Sequence, residues 1–260
     1  MEASKIMAKR GLSSDEARRI RQSGHDDAAL FALCIGMGKD YQNDKTAKKD
    51  VIDPSGDAHS VKSGKKKWQI FLYGRNRFIN DDGFQALNGI GSLLIHCIDA
   101  FPPSYEDYKK NPDAAKERLK TPMRELKDRF QRRALLRAFL GKSIFNGGEV
   151  DYLTVLDNGM YNVFYCKDVV LCLGNNLTVR NSQIKSEGQH SEQKVLFKYE
   201  DLNVGELEMR NDSIKHYQEV RFNMIKPKVM NMLYKFITKK EVYGDEVMLY
   251  GAAIKRFGNW

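Results

Sequence analysis

The stretch KKDVIDPSGDAHSVKSGKKKWQIFLYG, Lys48 to Gly74, decides how this chain is read. Its middle, DPSGD, is turn chemistry: Pro54 presets one backbone dihedral and Gly56 tolerates the left-handed region. The flanks Lys48–Ile52 and Ala58–Ser63 then read as the two strands of one hairpin. Side chains alternate faces along a strand, so Asp50 shares a face with Ile52, and Ser60 shares one with Lys62. A hairpin closed at PSG brings Asp50 and Lys62 into one space. The following run, KKKWQIFLYGRNRF, fits either a third strand or a helix, and leans to helix.

A carboxylate beside a lysine suits phosphodiester hydrolysis. The carboxylate can hold Mg²⁺, which takes oxygen ligands and keeps water positions open. The metal polarises the phosphate and lowers the pKa of a bound water. The lysine can orient that water or stabilise charge developing at phosphorus. The basic run Lys65, Lys66, Lys67 would hold the nucleic-acid backbone.

The ordered set resembles the PD-(D/E)xK nuclease superfamily, the fold of many type II restriction endonucleases and of phage and repair exonucleases. The pattern there is an acid on one strand, a turn, then acid-x-Lys on the next strand. Asp50 matches the first acid and Lys62 the lysine, while Ser60 fills the acid slot, as in some restriction endonucleases. Gln69 and Tyr73 have the spacing of the Gln and Tyr that follow the lysine in the RecB-like branch. Members open with a helix whose Glu faces the metal. This chain offers Asp26 and Asp27 there, with Ala28 at the expected Glu position. The resemblance implies an α+β, restriction-endonuclease-like mixed β-sheet core flanked by helices. It also implies Mg²⁺ as cofactor, with Asp50 and Asp27 as metal ligands, and Asp50, Lys62, Ser60 and Gln69 as the catalytic set.

Outward from the hairpin, the N-terminal side reads as two helices, Ser13–Gln22 and a second from His25, separated at Gly24. Leu30, Phe31, Leu33 and Cys34 form the second helix's apolar side. C-terminal to the hairpin, Asp82–Phe101 is apolar at helical spacing and stops at Pro102 and Pro103. A charged helical region, Pro112–Leu140, follows, broken near Pro122. It carries a basic face with Arg129, Arg132, Arg133 and Arg137. After Asn146 the chain turns strand-rich. Asp157-Asn158-Gly159 is a strong hairpin signal. Further strands are expected at Val169–Leu173, Lys194–Tyr199, Val204–Arg210 and His216–Phe222, with a polar loop over Val179–Ser191 and a late helix from Met224. The division expected is a helical N-terminal region with the hairpin, 1–145, and a strand-rich region, 146–260, for DNA recognition and core completion.

A second dense patch, NVGELEMRNDSIKHYQEVRF, places Glu206 and Glu208 on one strand face. Some restriction endonucleases use Glu-x-Glu in place of acid-x-Lys, and Asp168 or Glu149 could serve as the upstream acid. No lysine stands in the reacting position. The same segment offers Arg210, Asn211, His216, Gln218 and Arg221, types that read base edges.

The chain has 260 residues, 42% of them hydrophobic, enough for a real core. No apolar run reaches a membrane span and the first residues lack a signal peptide's apolar stretch. Cys34, Cys97, Cys166 and Cys172 show no metal spacing, so reduced thiols and a cytoplasmic location are expected, with no organic cofactor. With 43 basic and 34 acidic residues the net charge is +9, which fits a polyanionic partner. The expectation is a Mg²⁺-dependent, sequence-specific endonuclease on double-stranded DNA, working as a homodimer if its target is palindromic. A non-catalytic nucleic-acid-binding module on the same fold, and a structure-specific or RNA nuclease, are the alternatives.

Overall fold

The computed structural model describes residues 14–38, 49–184, 189–258 and 260. Its strands are β1 (Val51–Ile52), β2 (Ala58–Lys62), β3 (Lys67–Tyr73), β4 (Tyr152–Asp157), β5 (Met160–Tyr165), β6 (Thr178–Asn181), β7 (Lys194–Tyr199), β8 (Leu202–Arg210), β9 (Glu219–Ile225), β10 (Lys240–Tyr243) and β11 (Val247–Tyr250). The longer helices are α1 (Ser14–Cys34), α2 (Ile90–Asp99), α3 (Pro112–Phe130), α4 (Arg133–Phe145), α5 (Cys166–Asn176) and α6 (Lys226–Phe236). None is long and apolar enough to cross a membrane.

Two sheets result. The first is mixed, in the order β1-β2-β4-β5-β11-β10, with β2/β4 and β5/β11 parallel and its other pairs antiparallel. The second is antiparallel, in the order β3-β9-β8-β7-β6. Each sheet takes strands from both sides of residue 145, so the expected division into 1–145 and 146–260 does not follow the sheets. The class is mixed α and β, as the sequence implied.

Alternation gives the first sheet two unlike faces. On one, Val51, Val61, Tyr152, Tyr161, Val163, Val247 and Leu249 pack against α1. On the other, Leu153, Val155 and Phe164 join the large core shared with the remaining helices and the second sheet. The sheet is thus covered on both faces.

Several sequence expectations are corrected. The two N-terminal helices are one, α1, with Gly24 inside it. Ala28, Phe31, Ala32 and Ile35 recur at i, i+3, i+4 and i+7 and are buried, which outweighs a glycine cost of about 1 kcal/mol. Leu30 and Leu33, assigned to the apolar side, are exposed. Lys67–Tyr73 is a strand, not a helix. A bulge between Gln69 and Phe71 spaces buried Trp68 and Phe71 three apart, which imitates a helical period. Pro122 lies within α3, and the break falls at Gln131–Arg132. Leu119, Met123, Leu126 and Phe130, all buried on one side, hold α3 together across the proline. Val169–Leu173 belongs to helix α5, its buried residues Val169, Cys172 and Leu173 following a helical period. Strand β6, Thr178–Asn181, takes the first three residues of the expected polar loop, and His216 ends a short 3₁₀ turn before β9. The hairpin at Asn158-Gly159 stands, with both residues at positive φ (51° and 80°). Strand β7 and helix α6 also stand.

Candidate active site

The DPSGD turn is closed by Asp53. Its Oδ1 accepts the amides of Ser55 and Asp57, each at 2.9 Å, and Gly56 takes φ +89°. Antiparallel pairing then sets Val51 opposite His59 and Ile52 opposite Ala58. Because Val51 and Val61 face α1, Asp50, Ser60 and Lys62 face the other way. The Asp50 amide donates to His59 O at 2.8 Å. The ladder is then carried on by a side chain: Asp50 Oδ2 accepts the Val61 amide at 2.8 Å and lies 3.4 Å from Ser60 Oγ. Lys62 Nζ is 3.7 Å from the same oxygen and 3.4 Å from Val61 O. Both charged side chains are about a quarter exposed, 26% for Asp50 and 24% for Lys62. The hairpin therefore brings Asp50, Ser60 and Lys62 together, as its sequence implied. Lys48, the first residue of the expected strand, lies outside the described residues.

Gln69 and Asp27 do not join them. Gln69 is exposed on β3, in the second sheet, opposite Asn223. Asp27 is on α1, whose buried residues pack on the sheet face opposite Lys62, and its carbonyl accepts the Tyr161 hydroxyl at 2.8 Å. Asp26 accepts from Gln22 at 2.9 Å. Tyr73 packs in the aromatic core, stacked on Phe71 with ring centroids 4.8 Å apart. Among the described residues no three His, Cys, Asp or Glu side chains converge as a metal-holding group.

The expected nucleic-acid contacts divide sharply. Lys65, Lys66 and Arg132 are exposed. Lys67 is engaged by Glu206 at 2.7 Å. Arg133 caps the end of α5, donating to Gly174 O at 3.0 Å and Leu177 O at 2.5 Å. Arg210 makes two hydrogen bonds to Asp212, at 2.6 and 3.0 Å. Arg221 is bound to Glu208, His216 to Glu219 at 2.7 Å, and Gln218 to the carbonyls of Phe101 and Pro102 at 3.2 and 3.0 Å. Asn211 lines a cleft of about 760 Å³ together with Glu206, Glu208 and Lys194.

Glu206 and Glu208 do share the outer face of the second sheet. The lysine missing from their sequence neighbourhood comes from β7: Lys194 Nζ lies 3.2 Å from Glu206 and is also bound to Glu208. Burial pushes the Glu206 carboxyl up, but Lys67 and Lys194 outweigh it and hold it below the usual carboxylate range. The upstream acids considered for this patch are used elsewhere. Asp168 accepts the Ala252 amide at 2.7 Å, and Glu149 accepts from Asn146 at 2.6 Å.

Sequence reasoning missed two things here. One is Lys194, which is brought in by β7/β8 pairing that no local pattern announces. The other is a buried set beneath the hairpin, Asp53, His59 and Thr154. The signal for Asp53 was present in DPSGD, where an Asp opening a Gly-containing turn caps the turn's amides.

In comparisons with protein-family models, with curated proteins and with solved structures, nothing matches.

Proposed function

We propose that this chain is a Mg²⁺-dependent endonuclease of restriction type, hydrolysing phosphodiester bonds of double-stranded DNA. The observation that carries the reading is the convergence of Asp50, Ser60 and Lys62 at one edge of the sheet, with Asp50 and Lys62 about a quarter exposed, beside the exposed lysines Lys65 and Lys66. A mixed sheet covered on both faces is the core the resemblance implies, and adds support.

The donor set is compatible with the metal. Mg²⁺ is commonly held by one or two carboxylates together with substrate phosphates and waters, not by an all-protein cage. Asp50 supplies the carboxylate. The Lys62 ammonium already sits between two oxygens, that carboxylate's and a backbone carbonyl's. When bound, the metal polarises the phosphate and lowers the pKa of a water. Lys62 places a positive charge where charge develops on the phosphate oxygens. Ser60 adds a hydroxyl within reach of Asp50, and Lys65 and Lys66 hold the strand by its phosphates.

The test is plasmid DNA with Mg²⁺, with EDTA, and with Asp50→Ala. Discrete metal-dependent fragments that vanish with EDTA and with the variant are expected. One observation favours a second reading, a nucleic-acid-binding module without catalysis. Ser60 occupies the acid slot, and among the described residues no three His, Cys, Asp or Glu side chains converge as a metal-holding group. A mobility shift with no cleavage in Mg²⁺ would select it.

A further inference from the structure

The three chain segments that carry the hairpin site are tied from beneath by a buried polar row. Asp53 is 4% exposed, and His59 and Thr154 are fully buried. Asp53 Oδ1 holds the turn by the amides of Ser55 and Asp57, while Oδ2 lies 3.4 Å from His59 Nε2. His59 Nδ1 lies 2.9 Å from Thr154 Oγ1. A carboxylate at Nε2 places the ring proton there, so Nδ1 accepts from the Thr154 hydroxyl. The row therefore runs from the turn, through β2, to β4.

Its surroundings make it unusual. The rest of this face is aliphatic and aromatic, its Tyr152 and Tyr161 hydroxyls bonded to Asp57 and to the Asp27 carbonyl, and the rings of Tyr152, Phe31 and Phe257 pack on His59 at centroid distances of 4.7, 5.0 and 5.5 Å. An apolar ring would fill the same space without bringing polar atoms out of water. What the polar atoms add is direction. His59 can meet both partners in one register only. Slipping β2 by one residue would turn His59 away from both and turn Lys62 to the α1 side. Asp50 and Lys62 lie on the opposite face of these same strands, so their 3.7 Å approach depends on that register.

We propose that Asp53, His59 and Thr154 are positioning residues for the Asp50–Lys62 site, fixing the strand register that sets the carboxylate against the lysine. The effect on cleavage rests on the nuclease reading; the effect on register does not.

The experiment uses the full chain and four variants: His59→Phe, which keeps the ring, Asp53→Asn, Thr154→Val and Thr154→Ser. The first readout is hydrogen exchange of the Val61 amide, the one bonded to Asp50, without DNA. We expect protection to fall on the order of tenfold in His59→Phe, Asp53→Asn and Thr154→Val, with amides of β8 and β9 unchanged and Thr154→Ser near wild type. The second readout is steady-state cleavage of plasmid DNA with Mg²⁺. We expect kcat to fall about tenfold or more in the same variants while KM stays within about twofold, since a misplaced group costs rate rather than binding. Wild-type protection at Val61 in His59→Phe, or equal losses in Thr154→Val and Thr154→Ser, would overturn the proposal. Should His59→Phe fail to fold, the two Thr154 variants decide. Should the wild type not cleave DNA at all, the nuclease reading fails and the exchange result alone decides on register.

Discussion

The hairpin and the outer face of the second sheet hold the same ingredients in opposite conditions. At the hairpin one carboxylate and one lysine stand 3.7 Å apart, each about a quarter exposed. On the second sheet two carboxylates, 13% and 8% exposed, are clasped by Lys67, Lys194 and Arg221, with Lys67 at 2.7 Å and Lys194 at 3.2 Å from Glu206. The second cluster is richer in charge and closer in contact. Both of its carboxylates are compensated by these three cations, which is what a stabilising ladder requires. A site that must take a phosphate and a metal needs access to solvent, which Asp50 and Lys62, each about a quarter exposed, have.

Substitutions at the two places should separate them, and the largest effect belongs to Asp50→Ala. Cleavage should be abolished, with DNA binding kept or strengthened, because the change removes the proposed metal ligand and a negative charge near the phosphate. Cleavage near the wild-type rate would move the chemistry to Glu206 and Glu208. Lys62→Ala should slow cleavage about a hundredfold, the usual scale for losing an electrostatic stabiliser of the transition state, with far less effect on binding. Parallel losses in rate and affinity would reduce Lys62 to a phosphate clamp.

Glu208→Ala should do the reverse. It leaves Lys194 and Arg221 without their shared partner on a carboxylate that is 8% exposed, so stability should drop by about 2 kcal/mol. Cleavage by the folded fraction should stay within about threefold of wild type, since only interactions that strengthen in the transition state change the chemical step. Denaturant midpoints and single-turnover rates on one preparation supply both numbers. A folded Glu208→Ala that cannot cut would break the comparison outright.

Protonation offers a subtler probe of the hairpin. Burial holds the His59 imidazole below its ordinary value of 6.5, outweighing the attraction of Asp53, Asp57 and Asp151. As pH falls through about 6.5 the unfolded chain takes up a proton that the folded chain refuses. Stability from this group is therefore intact above that pH and lost below it, by at most about 1.4 kcal/mol per pH unit. Asp53 is also held low: burial pushes it up, but His59 and the turn amides outweigh burial, so its contribution fades only below the ordinary 3.8. The urea midpoint should thus fall between pH 7 and pH 5, and His59→Phe should flatten that slope. An equal slope in the variant would assign the acid sensitivity to other groups.

How far the sequence carried can be seen at particular residues. Asp50, Ser60 and Lys62 were legible because turn chemistry and strand alternation are local rules, and both operate within about a dozen residues. Asn158-Gly159 was legible for the same reason. Lys67–Tyr73 was not, because a bulge disguised a strand as a helical period. Asp27 was misplaced because the face on which α1 packs is set by Ala28, Phe31, Ala32 and Ile35 meeting strands as distant in sequence as Val247 and Leu249. Arg210, Arg221, His216 and Gln218 were read by type, yet their partners Asp212, Glu208, Glu219, Phe101 and Pro102 were already in the chain. Residue type tells what a side chain can bind, and only the fold tells whether it is already bound.

The smallest expected effects test that last distinction. Lys65 and Lys66 are exposed on the connection from Lys62 to β3, whereas Arg210 is held by Asp212 through two hydrogen bonds, at 2.6 and 3.0 Å. A lysine that contacts phosphate releases counterions when DNA binds, so Lys65→Ala or Lys66→Ala should weaken binding to every sequence alike and lower the slope of log K against log salt by about one each. Arg210→Ala should leave that slope unchanged, because its charge is already compensated within the protein. A base-reading arginine would behave in a third way, relaxing preference at one base pair at a cost of about 1–3 kcal/mol. Affinities for a cognate site and its single-base variants, measured across a salt series, distinguish all three outcomes. Relaxed preference in Arg210→Ala would mean that DNA takes the arginine from Asp212, and would place base reading on the second sheet beside the cleft that Asn211 lines.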